Sequence, residues 1–397
     1  MKGWLDVRDG PERAITRLLE RLLKEDVVNG LLVPLRTLDD RGAVPTLVRD
    51  PSLLVRAAPL APVMPVNTGK VLGQITATGG LGRLGAVLRN CELRTVVELS
   101  KVQQALLDDV LLIGIDCLGA YTVEDYARAI TEGLDPLAQS LAAAREGHVR
   151  PLDGYEFRAA CTMCERPIPS EEKHDGSSPS EGKRGESSVA GDSHPPHIAI
   201  GLLGVPNDQR LWISVEDQEL AERLGLELGE EPAARAGAVH ALVVDRTAER
   251  DRRFGAFAER VHDPMTLLTE FATCIRCQNC MVTCPICYCK ECIFRTDVFD
   301  HPSPRYWDWA ERKGGVRLPS DTLLFHVTRM LHMAHACVGC GMCSDACPVG
   351  IPVADIFRAV GQRIQGSFGY VPGRDPEEEM IIATFREDEL GKLGKGD

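Results

Sequence analysis

CIRCQNCMVTCP, from Cys274 to Pro285, and CVGCGMCSDACP, from Cys337 to Pro348, are two copies of one pattern, C-x2-C-x2-C-x3-C-P. This is the spacing of a pair of 4Fe-4S clusters held by thiolates. Three closely spaced cysteines wrap one corner of a cubane, and the turn after the x3 step carries the fourth to the neighbouring cluster. Ligation is therefore expected to cross. Cys274, Cys277, Cys280 and Cys347 would hold one cluster, and Cys337, Cys340, Cys343 and Cys284 the other. Zinc knuckles or a disulfide framework need paired C-x2-C units, not two matched four-cysteine runs that each end in Pro.

The chain around these runs has 397 residues, enough for two or three domains and a sizeable core. With 15 cysteines and no charged-plus-apolar leader, reduced thiolates holding metal are expected rather than disulfides, in a cytoplasmic and anaerobic setting. No apolar run approaches the ~18 residues that span a bilayer, so no membrane span is expected. A net charge of -13 opposes nonspecific binding to nucleic acid or anionic lipid and points to proteins and small redox molecules as partners.

Hydrophobic periodicity divides the chain into an α/β body over 1–250, a ferredoxin-like α+β domain with two 4Fe-4S clusters over 251–365, and an acidic tail over 366–397. In the body, Asp9 can cap a helix over 9–27 whose leucines recur on one face, and Leu31–Leu35 and Val44–Val48 are strand-like. A strand at 86–88, a helix from Glu92 to about Leu107 and a strand at 110–115 make a βαβ unit. Helices follow near 123–132 and 135–145. Residues 167–196, rich in Ser, Gly, Pro and charge, predict a mobile insertion. Beyond it come strands in HIAIGLLGV and LWISVE, a helix from Asp217, and a strand at Ala241–Val244. The cysteine-run domain carries its own insertion, 288–332, whose Tyr306, Trp307 and Trp309 would cover the clusters or meet a partner.

Seven cysteines lie outside the two runs. Cys91 and Cys117 follow the consecutive strands of the βαβ unit, so parallel pairing would bring them together at the carboxyl edge, where open α/β sheets place ligands. Cys161 and Cys164 add a C-x2-C hook. Together the four thiolates make a third 4Fe-4S site; two buried structural cysteines plus an unrelated pair remain the alternative. Cys287, Cys289 and Cys292 stay unassigned.

Three shorter motifs compete for attention. Gly80-Leu81-Gly82-Arg83-Leu84-Gly85 matches G-x-G-x-x-G but precedes a strand where that fingerprint needs a helix, so a loop is expected. Asn67, Thr68, Gly69 and Lys70 are a better pyrophosphate candidate, combining backbone amides with an ammonium, with an ordinary turn as the alternative. His332 and His335, three apart before Cys337, would share a helix face and pack near a cluster, where hydrogen bonding could raise its potential.

The segments DGPERAITRLLERLLKEDVVNGLLV, GAVLRNCELRTVVELSKVQ, LLIGIDCLG, RAACTMC and HIAIGLLGV, in that order, resemble the flavin-binding beta subunits of deazaflavin-coenzyme (F420) hydrogenases and dehydrogenases, including that of formate dehydrogenase. The likeness spans about 1–250, with a two-cluster ferredoxin module appended. It implies FAD in the body beside an iron-sulfur cluster, a soluble hydride or electron carrier, and a catalytic partner subunit of formate dehydrogenase, hydrogenase or heterodisulfide-reductase type. The implied function is an electron-transfer subunit of an oxidoreductase complex; a flavin-free iron-sulfur wire is the alternative. Two departures stand out: Asp9-Gly10-Pro11 replaces a Gly-Gly pair found in many relatives, and the ferredoxin cysteines follow the body instead of preceding it.

Overall fold

The computed structural model describes residues 1–80, 82–170 and 193–384. Most of the expected insertion at 167–196 and the end of the expected acidic tail lie outside the described residues. The body runs β1 (Lys2–Asp6), α1 (Pro11–Lys24), β2 (Gly30–Arg36), β3 (Ala43–Val48), α2 (Thr68–Thr76), β4 (Leu84–Arg89), α3 (Asn90–Lys101) and β5 (Val110–Ile115). It continues with α4 (Val123–Thr131), α5 (Pro136–Arg145), α6 (Ala159–Thr162), β6 (Ile198–Gly201), β7 (Arg210–Val215), α7 (Gln218–Arg223) and β8 (Glu227–Leu228).

The strands form one mixed sheet in the order β3-β2-β4-β5-β6-β7-β1-β8, parallel from β2 through β6 and antiparallel outside. Alternation along each strand decides its two faces. Leu31, Val33, Leu111 and Ile113 pack with Ile15, Leu19 and Leu22 of α1. Leu32, Ala86, Leu88 and Leu112 pack with Leu72 of α2 and with Leu93 and Val96 of α3. The continuous apolar run of β5 is buried throughout, as a parallel strand covered on both faces requires.

The expected βαβ unit is β4-α3-β5, with Leu84 opposite Val110 and Arg89 opposite Ile115. Its helix stops at Lys101, short of Leu107, where a turn puts Gln103 at φ 56°. Asp9 does not cap α1: Gly10 holds the cap position at φ 91° without a side-chain bond, and Asp9 pairs with Arg17 at 3.0 Å. The strand expected at Ala241–Val244 is instead the middle of the 28-residue α8 (Ala233–Arg260). There the buried Val243, Arg246, Phe254 and Phe257 recur at helical spacing, and helical phase over the whole segment overrides the local β preference of four apolar residues.

After α8 come α9 (Pro264–Glu270), α10 (Asn279–Thr283), α11 (Ser303–Lys313), α12 (Thr322–Met333), α13 (Met342–Asp345) and α14 (Val353–Phe368). Among the described residues no strand follows β8, so the α+β expectation for this region is corrected to an all-helical one. The long stretch between the cysteine runs supplies helix α12, and Phe325 and Met330 on it pack against Ile356 and Phe357 of α14 in one core. No helix among the described residues is long and apolar enough to cross a membrane.

Body and cysteine-run region meet along α3, whose polar face is buried too. Arg94 donates to the carbonyls of Pro372 and Val338 at 2.7 and 3.0 Å. Glu98, 1% exposed, accepts from the Tyr370 hydroxyl and the Gly373 amide, each at 2.7 Å. Residues 370–380 therefore strap α3, with Met380 buried and Glu378 near Lys101, so this part of the acidic tail docks on the body. α8 braces the other side: Arg235 pairs with Asp116 at 2.6 Å under the sheet, and Arg253 pairs with Asp355 of α14 at 3.2 Å.

Candidate metal centres

The two cysteine runs fold alike. Positions two and four residues after the leading cysteine take left-handed backbone in both: Arg276 and Gln278 at φ 54° and 64°, Gly339 and Gly341 at 75° and 78°. Each run then enters a short helix, α10 or α13, so its cysteines project from similar turns. The second run needs glycine because Gly341 abuts Ala160 of the body and Gly339 abuts Arg358 of α14. A Cβ on Gly341 would stand 2.3 Å from that of Ala160, and one on Gly339 would stand 2.7 Å from Nε of Arg358.

Cys337, Cys340 and Cys343 line one cavity, of about 430 Å³, together with Cys284 from the other run. Burial, and then the Cys284 thiolate, push the Cys340 thiol up to about 12 and that of Cys343 well above its usual range. Four thiols so placed cannot ionise together without a positive centre among them, and iron supplies one.

Cys274, Cys277, Cys280 and Cys347 form the second group. Burial pushes the Cys280 thiol up to about 11; Arg329 pulls it down, and Cys274, Cys277 and Cys347 push it up again. Backbone amides of Arg276 and Ile351 point at the sulfurs of Cys274 and Cys347, each at 3.3 Å. Arg329 donates through Nη1 to Sγ of Cys280 at 3.0 Å, and Nε2 of His326 lies 3.3 Å from Sγ of Cys274. Burial and the neighbouring Arg329 push His326 down to about 3, so its ring is neutral and can donate to a thiolate there. These two residues hold the role expected of His332 and His335. α12 ends at Met333, which leaves His332 exposed and His335 buried in the following turn, so the pair shares no face. The signal missed was a His and an Arg three apart on the buried face of α12.

At the carboxyl edge of the sheet, Cys91, at the start of α3, and Cys117, just past β5, meet Cys161 of α6 and Cys164 around a cavity of about 410 Å³. The hook is thus beside the strand-end pair and not unrelated to it. Burial raises the thiols of Cys91, Cys117 and Cys164, that of Cys117 to about 11. Arg89, Arg158, Arg166 and Arg246 line the same cavity. Arg158 is 3% exposed, and its Nε and Nη1 have no partner among the described residues. A buried guanidinium with two nitrogens so left fits an anionic group in the cavity, and a cubane with four thiolates is one. Gly339 and Cys340 line this cavity and that of the second run, so the two share a wall.

Among the described residues no three His, Cys, Asp or Glu side chains converge on a point where a single metal ion would sit. Four thiolates around a four-iron cubane stand further apart than that. Cys287 packs beside Cys284 and Cys340, Cys292 lies 3.7 Å from the Met281 sulfur, and Cys289 is exposed.

The donors of the pyrophosphate candidate find partners within the chain. Asn67 caps α2 by accepting from the Lys70 amide, and the Thr68 amide donates to the Glu92 carboxylate at 2.7 Å. A buried anion already occupies the helix end, and backbone of α3 lies 2.4 Å from where a Gly69 Cβ would be. Nζ of Lys70 donates to the carbonyls of Val282 and, at 3.2 Å, Cys284, so the loop clamps the body to the first run. The glycines at 80 and 82 lie, as expected, in a loop between α2 and β4. Tyr306, Trp309 and His301 pack on one another along α11, with Trp307 76% exposed.

Residues 270–351 match the 4Fe-4S dicluster domain family. Over nine-tenths of its length the chain is similar to beta subunits of F420-dependent formate dehydrogenases. That of Methanocaldococcus jannaschii is 25% identical over 91% of this chain and 92% of the relative. The subunit beta of formate dehydrogenase 1 from Methanococcus maripaludis is 26% identical over 92% and 91%. A chain of the F420-reducing [NiFe] hydrogenase complex from Methanosarcina barkeri superposes with a TM-score of 0.41 at 15% identity, over 62% of this chain and 84% of that one.

Proposed function

We infer that this chain is an electron-transfer subunit of an oxidoreductase complex, of the kind formed by the formate dehydrogenase beta subunits it resembles. One observation carries the reading: the cavity of the strand-end thiols shares Gly339 and Cys340 with that of the second run, and Arg329, which lines the latter, reaches Cys280. In this reading two 4Fe-4S clusters occupy the cysteine runs with crossed ligands, and a third lies with Cys91, Cys117, Cys161 and Cys164. The clusters pass electrons one at a time, and the protein sets their spacing and surroundings.

A second pocket opens beside the strand-end set at the carboxyl ends of β4 and β5, and Arg89 and Cys117 line both. It is the place proposed for the reactive ring of FAD, which when bound would convert between a two-electron hydride carrier and one-electron centres. Arg89 donates to the carbonyls of Ala61 and Val63 at 2.5 and 2.9 Å and so fixes the loop that walls the cavity. Asp116, held by Arg235 and by the amides of Leu202 and Leu203, fixes the floor.

Anaerobically purified chain should carry about 12 iron atoms for three clusters, against about 8 for two, and should release FAD on denaturation. Full iron without FAD would leave the flavin-free wire docked to a catalytic or heterodisulfide-reductase-like partner. With FAD present, Cys117→Ser should preserve hydride-dependent bleaching yet abolish reduction of the cysteine-run clusters in a single turnover. Normal reduction in a variant shown to lack the third cluster overturns the relay. Comparing the deazaflavin, NADH, NADPH and formate as reductants, with the partner subunit present, identifies the carrier.

A further inference from the structure

We propose that Arg329 sets the reduction potentials of both clusters of the cysteine-run region, as a single guanidinium shared between the two four-thiol sets. The proposal rests on the cluster assignment above. Arg329 donates through Nη1 to Sγ of Cys280 and through Nη2 to the carbonyl of the same residue, both at 3.0 Å. It also lines the cavity of Cys284, Cys337, Cys340 and Cys343. One side chain therefore faces both sets.

Its charge has no other counterpart. Arg329 is 3% exposed, forms no ion pair with a carboxylate among the described residues, and leaves Nε without a partner there. It is bonded to Cys280 and lines the cavity of Cys284 and Cys343, so the guanidinium stands between thiols of both sets. Phe325 and Phe357, whose ring centres lie 5.4 and 4.9 Å from the guanidinium carbon, hold the fork in place. Each cluster gains one negative charge when it takes an electron. A fixed cation donating to a ligand sulfur favours that added charge and raises the potential. His326 reaches Cys274 alone and is neutral, so it lacks both properties.

The test is an anaerobic redox titration of the full chain followed by electron paramagnetic resonance, on wild type, Arg329→Met and Arg329→Lys. Arg329→Met should lower both cysteine-run midpoints, more for the cluster holding Cys280. Its reduced-to-oxidised ratio at a fixed poise should fall about tenfold, the scale of one charge-assisted hydrogen bond. Arg329→Lys, which keeps the charge and loses the fork, should fall between. The strand-end cluster should not move. Unchanged midpoints with full iron content, or a shift confined to one cluster, overturn the proposal. If Arg329→Met fails to load iron, Arg329→Lys decides: a lowered midpoint for the Cys280 cluster supports it and wild-type midpoints overturn it. Wild-type chain lacking two clusters in the runs would instead overturn the cluster assignment itself.

Discussion

Nη2 of Arg158 donates to the carbonyl of Cys340 at 2.8 Å, tying an arginine of the strand-end cavity to a cysteine of the second run. The same group pairs with Asp345, whose side chain is 26% exposed. Arg158→Met should leave that carboxylate unpaired, lower stability by about 3 kcal/mol, and release about four irons while the two runs keep theirs. Iron content and thermal unfolding, measured together, check both parts; full iron at wild-type stability would contradict them.

Gly341→Ala should be far more damaging than any small change at Gln278, its counterpart in the first run. The substitution forces a side chain into left-handed backbone at φ 78° and against Ala160, for about 1–2 kcal/mol of strain plus about 1–3 kcal/mol of overpacking. Gln278→Gly gives up the bond from Nε2 to the Phe294 carbonyl at 2.6 Å but relieves left-handed backbone, so it should change stability by less than about 1 kcal/mol. Denaturant unfolding of the two variants gives the comparison.

Crossed ligation predicts which substitutions share a phenotype. Cys274→Ala and Cys347→Ala, far apart in sequence, should remove the same paramagnetic signal, and Cys284→Ala should remove the one lost in Cys337→Ala. Signals that follow the runs, with Cys284 grouped with Cys274, would show uncrossed ligation.

Glu98 anchors the carboxyl-terminal strap through the Tyr370 hydroxyl, the Gly373 amide and Lys101 at 3.2 Å. Glu98→Leu should cost about 3 kcal/mol, since it leaves the Gly373 amide and the Tyr370 hydroxyl proton without an acceptor and Lys101 with Glu378 at 3.9 Å as its remaining carboxylate. Limited proteolysis should then cut within 370–384 well before the rest of the chain; an unchanged digestion pattern would show that the strap holds without this carboxylate.

Much of the centre could be read from spacing, because a cysteine run dictates its own turn. Cys91 and Cys117 could be placed because parallel pairing of β4 and β5 aligns their carboxyl ends. Arg329 and His326 could not, since their role depends on the phase of α12 relative to a loop some fifty residues earlier. The partners of Asn67–Lys70 were hidden for a related reason. The segment's amides and ammonium were rightly seen as donors, but Glu92 and the carbonyl of Cys284, which take them, belong to segments distant in sequence. The same distance hid the burial of 370–380, whose acidic composition describes solubility and says nothing of Tyr370 and Gly373 meeting Glu98. β1 was missed because five residues opening on Lys2 and closing on Asp6 become a strand only when β7 lies alongside.

The left-handed positions shared by the two runs describe a duplication whose copies have stopped being interchangeable. Arg276 and Gln278 occupy in one copy what Gly339 and Gly341 occupy in the other, and only the glycine copy can lie against Ala160 and Arg358. Exchanging the two twelve-residue segments would preserve every cysteine and every spacing, yet drive a glutamine side chain against Ala160 of the sheet-bearing half and an arginine against Arg358 of α14. The fit of the module to its surroundings is thus encoded outside the expected metal ligands, in two glycines.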